Sequence, residues 1–167
     1  AKQLADPWIA RIGAWMPMGL LIIAFGLHEW VLTAYSLACS LAGIALAVLA
    51  LRQLFDTRLA LMTAALLAVY PNDVFYSTRA FGDEAVGFWC AAAFFLYLVA
   101  EKRSSWQLSL LTGLALGIAY LTKETALLLG APIAILWRMK RWPPPRMLAW
   151  LAVGFLAVLA LELSAWQ

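Results

Sequence analysis

The sequence predicts an all-α, polytopic transmembrane bundle of about six spans, preceded by a short N-terminal interfacial or re-entrant helix. Three observations carry that prediction. Of the 167 residues, 65% are hydrophobic and only 13% charged, against about half and about a quarter in soluble domains. Mean hydropathy is +0.86, and a soluble chain of this length has too little interior to hide so much apolar surface. Residues 41–51 are almost unbroken Ala, Leu, Ile and Val, unlike the alternation over about ten residues of a transmembrane β-strand. The same composition excludes disorder, which requires few apolar residues. Nucleic acid is excluded as a partner, because no basic stripe with interleaved aromatics is present.

The elements follow in order. A span needs about 20 helical residues, fewer where its ends are anchored at the interface. Residues 15–27 are apolar but short, with Pro17 near the start, and form the interfacial or re-entrant segment. Residues 29–55 are the first span, and residues 58–70 a short second one stopped by Pro71. Residues 72–84 are polar and include Asp73, Arg79, Asp83 and Glu84. The third span is 85–100, followed by the charged turn Glu101-Lys102-Arg103-Ser104-Ser105. Residues 106–122 and 125–137 are the fourth and fifth, separated only by Lys123-Glu124. Residues 138–146 contain Pro143-Pro144-Pro145, and consecutive prolines break a helix, so a loop is predicted there. Residues 147–166 are the last span. The chain reads as a single membrane domain, 1–167, expected to be part of a longer protein because it lacks a starting Met and closes on an apolar run.

Charge placement orients the spans, since cytoplasmic loops are enriched in Lys and Arg. One set of loops holds Arg52, Arg58, Lys102, Arg103, Arg138, Lys140, Arg141 and Arg146, while the other holds Lys2, Arg11, Arg79 and Lys123. The acids divide the other way: Asp56 and Glu101 against Asp6, Glu29, Asp73, Asp83, Glu84 and Glu124. The first set is therefore predicted to be cytoplasmic, and function is sought on the acid-rich exoplasmic side. Most tryptophans, among them Trp8, Trp15, Trp30, Trp106, Trp137, Trp142, Trp150 and Trp166, lie near span ends and read as interfacial anchors. Cys39 and Cys90 sit in apolar runs, outside any CxxC or Cys/His spacing, and read as small buried hydrophobes.

Ionisable groups at membrane depth are costly and mark sites. Asp83 and Glu84 open the third span; they either complement a helix N-terminus or, with Asp73, form a metal or polar-substrate site. A divalent metal is the cofactor such carboxylates would take. Lys123 stands where two spans meet with almost no loop. It suits a phosphate as a point-charge partner, or else snorkels and pairs with Glu124. Arg79 is the second candidate for a phosphate. His28 reads as an interfacial residue, and Glu162, inside the last span, must face other helices, water or a partner. Gly113 and Gly117 form GxxxG in the fourth span, which allows close helix packing. Nucleotide loops, HExxH and nucleophile elbows are missing from the sequence.

Several short stretches, taken in order, resemble one family. Arg11-Ile12-Gly13 is followed by Pro17 and Ala24-Phe25-Gly26, then Ser40-Leu41, then Leu51-Arg52-Gln53-Leu54-Phe55. Residues 65–71 follow, then Ser77-Thr78-Arg79 with Asp83, and finally residues 113–123. This pattern resembles the polyprenyl-phosphate-dependent glycosyltransferases of the GT-C superfamily, in the branch related to protein O-mannosyltransferases. The resemblance implies a hydrophobic bundle, in a prokaryotic inner membrane, that moves a sugar from a polyprenyl-phosphate donor to an acceptor at its exoplasmic face. It implies Lys123 and Arg79 as donor-phosphate residues and Asp83 as the family's exoplasmic acid. The family's main catalytic acid belongs to a long first exoplasmic loop after an N-terminal helix. This chain lacks that helix and most of that loop, so the catalytic residue is unassigned. Asp6 alone stands near the expected place and is given no role. The full-length protein is then an enzyme whose partners are membrane lipid and the polyprenyl-phosphate-sugar donor. The alternative is a non-catalytic transmembrane subunit that scaffolds or docks a larger complex with other membrane subunits.

Overall fold

A computed structural model describes residues 12–79, 82–139 and 143–165, and every element in it is helical. Predicted features at Lys2, Asp6, Trp8, Arg11, Lys140, Arg141, Trp142 and Trp166 lie outside the described residues. Helix α1 (Ile12–Phe25) carries Pro17 and ends where Gly26 takes a left-handed φ of 82°, the conformation that closes helices at little steric cost. Helix α2 (Glu29–Leu54) has 26 residues, about 39 Å at 1.5 Å each. Helix α3 (Thr57–Ala68) begins at the N-cap Asp56, whose carboxylate accepts from Leu59 N–H at 2.7 Å. The predicted polar stretch 72–84 contains a further helix, α4 (Pro71–Ser77), bent by 60° from α3. Pro71 ends α3 and also opens α4, because proline is tolerated in a first turn where no N–H is needed.

Helix α5 (Asp83–Arg103) stops at Ser104, which has a φ of 49°, and Ser105 caps α6 (Trp106–Thr122). The predicted fifth span is two pieces: a 3-10 helix, Glu124–Leu129, and α7 (Gly130–Met139). A 3-10 helix rises about 2.0 Å per residue, so this short segment covers about 27 Å. Helix α8 (Pro145–Ala165) takes the last of the three prolines as its first residue, which shortens the predicted loop. Helices α2, α5 and α8 are each long and apolar enough to cross a membrane, and the bent α3–α4 pair would make a fourth crossing. Helix α6 and the segment after it are shorter than that.

Neighbouring helices form a row, α3–α2–α5–α6–α8, with α1 leaning on α2, α5 and α6. Cys39 meets Ala85, Gly43 meets Phe88, and Ala50 meets Tyr97 and Leu98, so α2 and α5 run parallel. Helix α6 returns antiparallel to α5, and α8 runs parallel to α6. Backbones touch at that last contact. A Cβ on Gly113 would meet the carbonyl of Leu151, one on Gly154 the carbonyl of Leu110, and one on Gly117 would lie 2.8 Å from Val158. The GxxxG pair therefore packs inside the bundle. Buried hydroxyls on α6 are satisfied by their own helix: Thr112 donates to Leu108 O at 2.8 Å and Thr122 to Ile118 O at 2.7 Å, as a water-free interior requires.

Outward faces carry exposed Leu37, Leu41 and Leu49 on α2 and Val153, Leu156 and Leu161 on α8. Helices of 26 and 21 residues with such outward faces are long enough for the roughly 30 Å hydrocarbon layer. The fold therefore has a basic end, with Arg52, Arg58, Lys102, Arg103, Arg138 and Arg146, and an acid-rich end, with Asp73, Asp83, Glu84 and Lys123. Both cysteines are free thiols, and Cys39 is buried.

Candidate functional site

The acid-rich end is assembled from three helix ends. Helix α6 closes at Thr122, and Lys123 follows in extended backbone, φ −163° and ψ 130°. Its N–H still bonds Ala119 O at 2.9 Å, while its C=O accepts from Ala126 N–H at 3.0 Å and starts the 3-10 helix. One extended residue between two helices swings the Lys123 side chain across to α5. There its ammonium donates to Oδ1 of Asp83 in an ion pair. Asp83 is the first residue of α5, where a carboxylate also complements the helix dipole. Lys123 and Asp83 are 33% and 32% exposed, so the pair stands at the edge of the bundle rather than in its core.

Beside it lies a second polar tie. Asp73, in the first turn of α4, accepts a 2.7 Å hydrogen bond from Ser40 Oγ of α2. Glu84, next to Asp83, lies close to Asp73. Two charged carboxylates placed close together repel one another, which favours a cation beside them. Together the two ties bring Asp73, Asp83, Glu84 and Lys123 to the meeting point of α2, α4, α5 and α6. Arg79 is not drawn in. It is exposed, and its guanidinium lies 3.9 Å from the centroid of the Phe75 ring, a cation–π contact within its own neighbourhood. Lys123 pairs with Asp83 rather than with its chain neighbour Glu124.

The carboxylates do not make a complete metal cage: among the described residues no three His, Cys, Asp or Glu side chains converge on one point. Asp83 pairs with the lysine, and Glu84 lies close to Asp73.

Ser40 is the site residue that the chemistry of single positions overlooks. The available signal was a run of small polar groups, Ser36, Cys39 and Ser40, on one face of an otherwise apolar span. All three are buried. Trp89 on α5 adds to this seam with a buried indole N–H, packed with Tyr35 against Cys39 and Ala85.

The profile of the dolichyl-phosphate-mannose-protein mannosyltransferase family matches residues 9–166. The chain belongs to that family. As a member of this GT-C mannosyltransferase family with long apolar helices, it is an integral membrane, glycosyltransferase-like protein. Searches of curated proteins and of solved structures each gave no match. Within the mannosyltransferase-family chain, the segment from α2 to α6 that holds the site lies wholly inside the matched residues.

Proposed function

We propose that this mannosyltransferase-family protein binds a polyprenyl-phosphate-linked sugar at its acid-rich end and transfers the sugar to an acceptor on the exoplasmic side of a prokaryotic inner membrane. The observation that carries the reading is the Lys123–Asp83 pair, a partly exposed ammonium held by one carboxylate at the edge of an apolar bundle. A lipid phosphate arriving along the membrane finds in Lys123 a compact point charge, already oriented by Asp83. Arg79, on the connection before α5, is the second cation within the same end of the bundle.

A transfer of this kind needs a base to deprotonate the acceptor hydroxyl while the lipid phosphate departs. It also needs positive charge to receive the phosphate. Lys123 supplies that charge. Asp73 and Glu84 are the groups that would hold a polar substrate or a divalent ion. Magnesium is typically bound by one or two carboxylates plus substrate phosphates, which a two-carboxylate pair fits and a closed protein cage does not require. When bound, such an ion would offset charge on the departing phosphate. An apolar slot of about 270 Å³, lined by Ala47, Ala50, Cys90, Ala91, Phe94, Leu129 and Pro132, lies further along the same 3-10 and α7 segment. It offers a prenyl chain a seat below the phosphate.

The test is binding of a polyprenyl phosphate to the full-length protein in lipid nanodiscs. Lys123→Gln is expected to weaken binding about tenfold to a hundredfold, because a hydrogen bond to a charged group contributes about 1.5–3 kcal/mol. Unchanged binding by a folded Lys123→Gln protein would reduce the ion pair to a tie between helix ends. It would leave the non-catalytic membrane subunit as the better reading.

A further inference from the structure

At the basic end, far from Lys123, the parallel packing of α6 and α8 sets their first turns side by side. A cavity of about 270 Å³ opens there, walled by Ser104, Ser105, Trp106, Arg146, Met147 and Trp150. Its sides differ in chemistry. The Trp106 and Trp150 rings lie 4.9 Å apart between centroids, tilted by 40°, and with Met147 they form an apolar wall. The rest of the lining includes Arg146 and Ser104, together with Ser105, whose hydroxyl is engaged in capping α6. The lining contains no carboxylate, and among the described residues Arg146 has no acidic partner.

We propose that this cavity binds a phosphate monoester or diester, with Arg146 as its charged ligand and the tryptophan pair against the ligand's apolar portion. The planar guanidinium fork matches phosphate oxygens in geometry as well as charge. A cavity below the roughly 300–1,000 Å³ of drug-sized sites takes a headgroup-sized ligand. The surrounding end holds Arg52, Arg58, Lys102, Arg103 and Arg138, and such a field concentrates anions near the surface. Tryptophans at span ends settle at headgroup level, so the phosphate comes either from an anionic phospholipid of the adjacent leaflet or from a small soluble phosphate ester. The site is independent of the donor reading, which concerns the opposite end.

The experiment uses the full chain in phosphatidylcholine nanodiscs. Phosphatidylglycerol retained by the protein is measured by native mass spectrometry, and binding of glycerol 3-phosphate by calorimetry. The wild type is expected to bind at least one of the two probes. Arg146→Gln is expected to lose about tenfold or more of that binding, while Arg138→Gln, which removes a cation of the same end outside the cavity, is expected to keep it. Arg146 is exposed, so the variant should fold, and far-ultraviolet circular dichroism checks this. Should it not fold, Arg146→Lys, which keeps the charge but not the fork, is expected to lose about severalfold. Binding of phosphatidylglycerol alone identifies a lipid headgroup, and binding of glycerol 3-phosphate identifies a soluble ester; both support the site. Binding of neither probe, an unaltered Arg146→Gln protein, or an equal loss in Arg138→Gln would overturn it.

Discussion

Ser40 donates a 2.7 Å hydrogen bond to Oδ2 of Asp73, tying the middle of the 26-residue α2 to the seven-residue α4. The contact joins positions 33 apart in sequence and fixes α4 against α2 at the acid-rich end. Ser40→Ala should therefore lower stability by about 0.5–1.5 kcal/mol, the typical net contribution of one hydrogen bond, since the Asp73 acceptor is only half-buried. Ser40→Thr should retain most of it. Thermal unfolding in detergent measures both.

The ion pair predicts an asymmetry. Both partners are about a third exposed, and exposed pairs contribute only about 0–1 kcal/mol. Asp83→Asn should therefore change stability by less than about 1 kcal/mol, and a double-mutant cycle with Lys123→Gln should give a coupling of that size. If the same Asp83→Asn variant also weakens polyprenyl-phosphate binding severalfold, the pair acts in orienting the lysine. A large stability loss with unchanged binding would make it purely structural.

Glycines separate into two classes by what surrounds them. At Gly113 and Gly154 an added Cβ runs into a backbone carbonyl of the facing helix, so alanine should destabilise by about 1–3 kcal/mol or more through overpacking. Gly87, on α5, has nothing within 4 Å of the added carbon, and there alanine should gain about 0.5–1 kcal/mol from helix propensity. Opposite shifts in the unfolding midpoint are the expected result.

Sidedness is tested by thiol labelling. In a protein free of Cys39 and Cys90, a cysteine at the exposed Pro144 should react with an impermeant reagent only when the basic side is accessible. A cysteine at the exposed Thr78 should react from outside intact cells. The reverse pattern would invert the orientation drawn from the charge split.

Much of the bundle was legible because its signals are local. The fourth span and helix α6 share the same bounds, Trp106–Thr122, since Ser105 supplies a cap and Lys123 breaks the apolar run. The meeting of Lys123 with α5 follows from antiparallel neighbours joined by a tight turn. What escaped were features that periodicity does not encode. Helix α4 hides in a polar stretch, because Pro71 reads as a stop although it also serves as a start. The 3-10 stretch Glu124–Leu129 is too short for apolar spacing to tell a three-residue turn from a 3.6-residue one. The Ser40–Asp73 bond joins distant positions and depends on how far α4 bends from α3.

The backbone contact between α6 and α8 has a mechanical consequence. Sliding one helix past the other by a turn, about 5.4 Å, would carry a side chain into a gap that only Gly113 and Gly154 leave open. The two helices therefore behave as one strut, and Lys123, at the tip of α6, is aimed in part by a helix to which it does not belong. Two breaks in the helices lie near that tip, the 60° elbow between α3 and α4 and the 3-10 stretch after Lys123. Both adjoin the acid-rich end, so the interrupted backbone stands next to the ion pair while its lysine is anchored to the closely packed α6–α8 strut.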